Sequence, residues 1–454
     1  MLTDKNPEAK HWSEHILVKV VLIGVIIIGL MIPSIMIMEL VRERSSRKME
    51  VTYEVSSKWG QLQTITGPYV EVPYLVELKY QNEPSEWREE KLYFFPASLE
   101  INGAITPVEK KRSIFKVMLY EGLIEIKGNF NSPDLNALKI PFDKVMWDRA
   151  NLHLAITDLS GISERVNLQS GDTIIPMTAA APSGLRLSNG LMAGLPSGIN
   201  WVNGLPFNIS LNLKGSQAIY FSPVAETNKV HVTSSWPSPK FEGQFLPDTS
   251  TVTPQGFTAD WTILDINRVI AQQWTESNPQ TFQDAPPARY DGRYTMETAG
   301  PSTAVFGVEL LDTVDHYTKN ERTVKYAFLL ITLTFVVYFF CEVLKKQRVH
   351  PLQYGLVGAA LVIFFILLLS LSEQIGFDAA YVVSSLATIL LITWYSRTIF
   401  TDKRIANLVG VLLLLQFGFI YIILQLEDFA LLTGSVALFV IIAILMYLTR
   451  KVRW

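Results

Sequence analysis

From its N-terminus the chain runs through a short polar lead, one long apolar run and a long polar stretch, then a series of closely spaced apolar runs. Ile16 to Met38 is almost wholly apolar, and five more such runs lie between Tyr326 and Tyr447, divided by short charged loops. A helix of about 20 apolar residues matches the hydrocarbon thickness of a bilayer and satisfies its own backbone hydrogen bonds there. The pattern predicts a membrane α-helical protein with six spans in a 1+5 arrangement, at residues 16–38, 326–344, 354–372, 378–396, 405–426 and 429–448. Residues 1–15 and 449–454 become short tails, and 39–325 a large water-exposed domain. The first run reads as a retained anchor. It is longer than the roughly 7–15 apolar residues of a signal peptide, and no small-residue cleavage site follows it. Instead the chain continues Glu39-Leu40-Val41-Arg42-Glu43-Arg44.

Inside the polar stretch the period changes to two. Phe207-Asn208-Ile209-Ser210-Leu211-Asn212-Leu213-Lys214 alternates without a break, as a half-buried strand does. Leu152 to Thr157, Val76–Leu78–Tyr80, Ile124 with Ile126, and Val230 to Thr233 read the same way. Gly, Pro, Asn and Asp clusters punctuate these runs, so the domain is expected to be a mainly antiparallel β sandwich or barrel. Thr262 to Trp274 fits either a strand or a helical face. Ser183 to Phe207, rich in Gly, Ser, Pro and Asn, reads as a long loop or irregular hairpin tip, an excursion from one domain more than a boundary between two.

Charge sets the orientation. The loops near 345–348 and 397–404 and the tail 450–453 are basic, whereas Glu373 with Asp378 and Glu427 with Asp428 mark acidic loops between them. This alternation follows the positive-inside rule and puts both termini in the cytoplasm and residues 39–325 outside. Arg42, Arg44, Arg47 and Lys48 oppose it locally, outnumbering Lys5, Lys10 and Lys19, but long domains translocate largely regardless of such charge. Composition agrees with a membrane class: 49% of residues are hydrophobic and the mean hydropathy is +0.24. The net charge of −3 carries no concentrated basic face, so a nucleic-acid partner is not expected. Cys341 is the single cysteine, which rules out an intramolecular disulfide.

No catalytic constellation emerges. His11-Trp12-Ser13-Glu14-His15 matches H-x-x-E-H literally, but it lies in a short tail with no third ligand near in sequence, so no metal or cofactor is expected. His153 and His231 fall on the polar faces of their strands and read as solvated, and His316 and His350 are scattered. Asn208-Ile209-Ser210, a literal glycosylation acceptor, sits inside a strand pattern. Within the spans, Glu342 reads as an interfacial ion pair with Lys345 and Lys346. Gln416, Ser384 and Thr388 read as helix-packing polar residues; Gln416 is expected to hydrogen-bond a neighbouring helix, with Ser384 and Thr388 as candidate partners. Ser370, Ser372 and Glu373 end the third span on the outer side, within reach of the large domain. Gly355 and Ala359 suit close helix packing.

The run Trp236-Pro237-Ser238-Pro239-Lys240-Phe241-Glu242-Gly243-Gln244-Phe245-Leu246-Pro247 is unusual. Its prolines remove backbone donors and its aromatics seek an apolar seat, so it reads as a rigid loop packed on the sheet, a structural or interaction motif. The run resembles the W-P-x-P-x-F-x-G-x-F-L-P signature of the CreD family of inner-membrane proteins. Gly67 to Pro73, Gly256 to Trp261, and the stretch from Lys325 through His350-Pro351-Leu352-Gln353-Tyr354 to Glu373 look like further family motifs. The resemblance implies a Gram-negative inner-membrane protein tied to envelope integrity and regulated by a two-component system answering envelope stress. It brings no established catalytic residues. Three function classes follow: a non-enzymatic envelope protein whose periplasmic domain binds a protein, cell-wall or lipid partner; a transport component built on the C-terminal helices; and a membrane enzyme on lipid-linked or wall substrates.

Overall fold

The computed structural model describes residues 7–78, 86–181, 184, 189–199, 201, 204–268, 270–278, 289–290, 293–294, 304–310, 316–345, 349–426 and 430–449. Two compact units result: residues 1–49 with 314–454, and residues 50–313.

The first unit is helical. Helix α1 (Pro7–Trp59) runs for 53 residues, well past the apolar run. From Leu40 to Trp59 there is no Gly or Pro to stop it, and Glu54–Lys58 at 2.8 Å adds an i,i+4 pair. It ends at Gly60, whose φ of +149° suits glycine and whose Cβ position lies 2.5 Å from the Lys214 carbonyl oxygen. The expected β-rich stretch 39–325 therefore begins helical. It also closes helical, in α2 (His316–Lys325), a polar helix without a hydrophobic signal. Then come α3 (Ala327–Lys345), α4 (Pro351–Ile375), α5 (Phe377–Ile399), α6 (Lys403–Gln425) and α7 (Ala430–Thr449). Among the described residues four helices are long and apolar enough to cross a bilayer, and the α2–α3 pair, bent by 43°, makes up to five. Helix α4 packs through Gly358, where an added Cβ would meet the Leu30 side chain at 2.1 Å. Gly355 faces open space, so the small residue that admits a neighbour lies three positions later than its spacing with Ala359 suggests.

The second unit is a two-sheet sandwich. Its strands begin with β1 (Gln63–Leu78), β2 (Glu86–Phe94), β3 (Ser98–Arg112), β4 (Phe115–Phe130), β5 (Asn151–Ile156), β6 (Asn167–Ser170) and β7 (Thr173–Pro176). They continue with β8 (Thr178–Ala179), β9 (Gly190–Gly194), β10 (Leu205–Ser216), β11 (Ala218–Phe221), β12 (Thr227–Ser234) and β13 (Pro239–Gly243). The last are β14 (Thr249–Thr253), β15 (Gly256–Leu264), β16 (Gln273–Thr275), the short β17 (Arg289–Tyr290) and β18 (Arg293–Tyr294), and β19 (Phe306–Leu310). One sheet of the sandwich is ordered β13-β19-β11-β1-β5-β9-β8, with β2 on β1 and β16 on β2; the other is β14-β15-β12-β3-β4-β10-β6-β7, and β17 and β18 pair with each other in a separate two-stranded sheet. Most pairings are antiparallel, but β1–β11 and β3–β12 are parallel, so the sheets are mixed.

The core forms where the alternation predicts it. In β10, Phe207, Ile209, Leu211 and Leu213 are buried, with Ile209 opposite Ile126 and Leu211 opposite Ile124. They join Val70 and Val72 of the other sheet in one apolar cluster. The Gly-rich segment before β10 is not all loop, because β9 lies within it and pairs with β5. Thr262 to Trp274 resolves into the end of β15, a single 3-10 turn and the start of β16, with Ile266 82% exposed. Tyr80 and much of 182–188 lie outside the described residues.

Candidate functional site: a buried polar stripe along helix α3

Glu342, Tyr338 and Thr334 stand four residues apart on α3, a spacing that stacks side chains on one helix face. All three are buried amid apolar neighbours. Polar groups in such a setting are costly unless partnered, and each is partnered from a different helix.

At one end the Glu342 carboxylate meets the Lys19 ammonium of α1. It also accepts from the Tyr354 hydroxyl at 3.0 Å and from the Val349 N–H at 3.2 Å. Lys19 donates in turn to the Val349 carbonyl at 2.7 Å. The pairing expected with Lys345 and Lys346 falls on side chains outside the described residues; the cation described at Glu342 is Lys19. That partner is 323 positions away in the chain, beyond the reach of any local pattern.

One turn along α3, the Tyr338 hydroxyl shares a hydrogen bond with the Ser396 hydroxyl of α5. A further turn on, Thr334 donates to the Gln416 side-chain oxygen at 3.3 Å, and Gln416 donates to the Leu330 carbonyl at 2.8 Å. Gln416 does bond a neighbouring helix, but that helix is α3. Ser384 and Thr388 instead donate within α5, to the carbonyls of Ala380 at 2.7 Å and Ser384 at 2.9 Å. Hydroxyls can satisfy themselves on their own helix in this way, whereas an amide donor at mid-span must reach out. Ser372 and Glu373 also find partners nearby: Asn320 donates to Ser372 at 2.8 Å and Tyr317 to Glu373 at 3.0 Å, both from α2. The stripe can therefore hold five helices in register.

In the β unit the Trp236–Pro247 segment, expected as a rigid loop packed on the sheet, is partly a strand of it. Pro239–Gly243 forms β13, pairing with β19 at the sheet edge, where prolines are tolerated. Phe241 packs edge-on against Phe257 and Trp261 with centroids 5.8 Å away in each case, and Phe245 against Phe306 at 6.1 Å. The Trp261 indole donates to the Phe245 carbonyl at 3.2 Å, and Trp236 donates to Ser238 at 3.1 Å. Gly243 has φ +110° and a Cβ position 2.2 Å from the Val305 carbonyl, so only glycine fits. Pro237 and Leu246 are exposed, while Pro239 and Pro247 are half-buried.

The histidines separate. His231 is half-exposed and holds Asp260 at 2.6 Å. His153 is buried: it lies on the face opposite Leu152 and Leu154 as its phase predicts, but Tyr69 stacks over it at 5.1 Å and solvent does not reach it. Its Nε2 is 3.5 Å from Glu71, which Lys91 contacts at 3.0 Å. Burial works to raise the Glu71 carboxyl, but the His153 imidazole and the Lys91 ammonium outweigh it and hold the group below the usual carboxylate range. The side chains of His11 and His15 lie outside the described residues. Among the described residues no cluster of His, Cys, Asp or Glu is arranged to hold a metal ion.

Residues 15–454 match the family model described as Inner membrane protein CreD. The chain is 28% identical over 423 residues to Inner membrane protein CreD of Escherichia coli (strain K12), covering 92% of this chain and 88% of that one. Among solved structures, the M1 zinc metallopeptidase from Deinococcus radiodurans aligns over 37% of this chain and 38% of its own, at 8% identity and a TM-score of 0.17, too low to bear on fold or activity. With the apolar helices, the Trp236–Pro247 motif and a match spanning nearly every residue, this multi-pass chain belongs to the CreD family of inner membrane proteins.

Proposed function

We propose that the protein is a non-enzymatic component that supports cell-envelope integrity or the response to envelope stress. In this reading a periplasmic β domain binds a protein, cell-wall or lipid partner. The observation that carries it is the joining of a β sandwich, residues 50–313, to a multi-pass helical unit in an inner-membrane family. The charge alternation supports six spans with both termini cytoplasmic. Reporter fusions at Asn129, Gln347, Gly376 and Lys403 are expected to read outside, inside, outside, inside. A cytoplasmic signal at Asn129 would sink the placement. Crosslinking in intact cells, followed by identification of the captured molecules, tests the partner directly, and an ectodomain that captures nothing argues against it.

The α3 stripe favours a second reading, a transport component, because buried polar groups along one helix also mark conduction paths. Gln416→Leu separates the two. A membrane hydrogen bond is worth roughly 0.6–2 kcal/mol, so a structural role predicts normal insertion, near-normal function and a small loss of stability. A protein that inserts and expresses normally yet loses all function would put transport first, and flux in proteoliposomes would then follow.

A further inference from the structure

The eight-stranded sheet has a step in its outline. Strand β3 pairs with β4 as far as Arg112, but its other neighbour, β12, stops at Ser234 opposite Ile105. There a notch of about 500 Å³ opens, lined from β3, β12, β14 and β15. Thr251, Thr258, Thr233 and Ala104 lie in register along one line across these four strands. Thr106, Ser235, Thr253 and the amide of Gln255 complete the wall, and no lining residue is ionisable. The charges lie outside it: His231 with Asp260 make up the next row of the same face, Glu121 stands opposite Thr106 on β4, Lys229, Glu100 and Lys127 form a row further along, and Lys110, Lys111 and Arg112 follow on β3.

This chemistry selects among ligands. A charged molecule meets no counter-charge in the notch. Addition of an extended peptide to the open edge of β3 is disfavoured, because Pro107 has no N–H there and the basic residues that follow are the features that block strand addition. A neutral polyhydroxylated molecule fits: each threonine hydroxyl both donates and accepts, and the Ala104 and threonine methyls offer apolar patches to the C–H face of a sugar ring. The volume lies within the range of small-molecule sites, roughly 300–1,000 Å³. We propose that this notch binds a neutral saccharide strand through Thr233, Thr251 and Thr258. The proposal rests on the reading that the β domain binds an envelope component, and it names the class.

The test uses the full-length protein in lipid nanodiscs, titrated calorimetrically with chitotetraose, which is β-linked N-acetylglucosamine, and with maltotetraose, which is α-linked glucose. Saturable binding is expected, weakened at least tenfold by Thr233→Lys and by Thr258→Lys and unchanged by Ser210→Lys on the same face. Thr233→Val and Thr258→Val remove only the hydroxyls and are expected to weaken binding if a lysine variant fails to fold. Preference for chitotetraose points to wall glycan, preference for maltotetraose to another glucan, and either supports the site. Binding of neither sugar, or binding indifferent to the notch variants, overturns the proposal. If crosslinking in cells still captures an envelope partner in that case, the broader reading stands without it.

Discussion

Replacing Lys19 with Met will destabilise the helical unit by about 3–5 kcal/mol, because the substitution leaves the Glu342 carboxylate buried without its counter-charge. Glu342→Gln will cost less than an apolar replacement, since the amide oxygen still accepts from the Val349 N–H and the amide NH2 can donate to the Tyr354 hydroxyl oxygen. The informative variant is the pair Lys19→Met with Glu342→Gln, which removes both charges together. It is expected to recover much of what Lys19→Met loses, because desolvating a lone charge is the dominant cost. Thermal melting of the full-length protein in detergent, followed by helical circular dichroism, reads the effect. A Lys19→Met protein that melts with the wild type would show that this pair does not join α1 to α3 and α4.

Trp261→Ala will have a comparable effect on the β unit. The indole is 1% exposed, packs against Phe241 and Phe306, and donates to the Phe245 carbonyl. Truncating a buried Trp or Phe costs about 3–5 kcal/mol, and here it also removes the floor on which the Trp236–Pro247 segment sits. Phe241→Ala is expected to follow the same direction with a smaller loss, because that ring is only half-buried. Sheet circular dichroism on heating measures both. Unchanged stability in Phe241→Ala together with lost function in cells would mark the segment as a binding surface instead of a packing one.

Much of the architecture is legible in the chain because the governing forces are local. Apolar runs of span length are helical where the structure describes them, as in α4 and α5, since hydropathy and backbone satisfaction act residue by residue. The alternation at Phe207–Lys214 becomes β10 with its apolar side inward for the same reason. Helix α2 and the extension of α1 past Met38 carry no such signal. Their polar residues are compatible with helix, turn or strand, and a helix uninterrupted by Gly or Pro simply continues.

What the sequence by itself determined, then, is the division into apolar helices and a β-rich polar stretch, the period of the strands, and the motif that marks the family. Only the tertiary structure decided the partners. Glu342 meets Lys19 across 323 positions, Gln416 chooses α3 over Ser384 and Thr388, and His153 sits on its predicted face but under Tyr69. The parallel pairing of β3 with β12, and the step that opens the notch beside it, are equally non-local. The physical reason is common to all of them. A residue's own chemistry fixes that a buried polar group must be satisfied, whereas which group satisfies it depends on which elements the packing of the whole unit brings within hydrogen-bond reach.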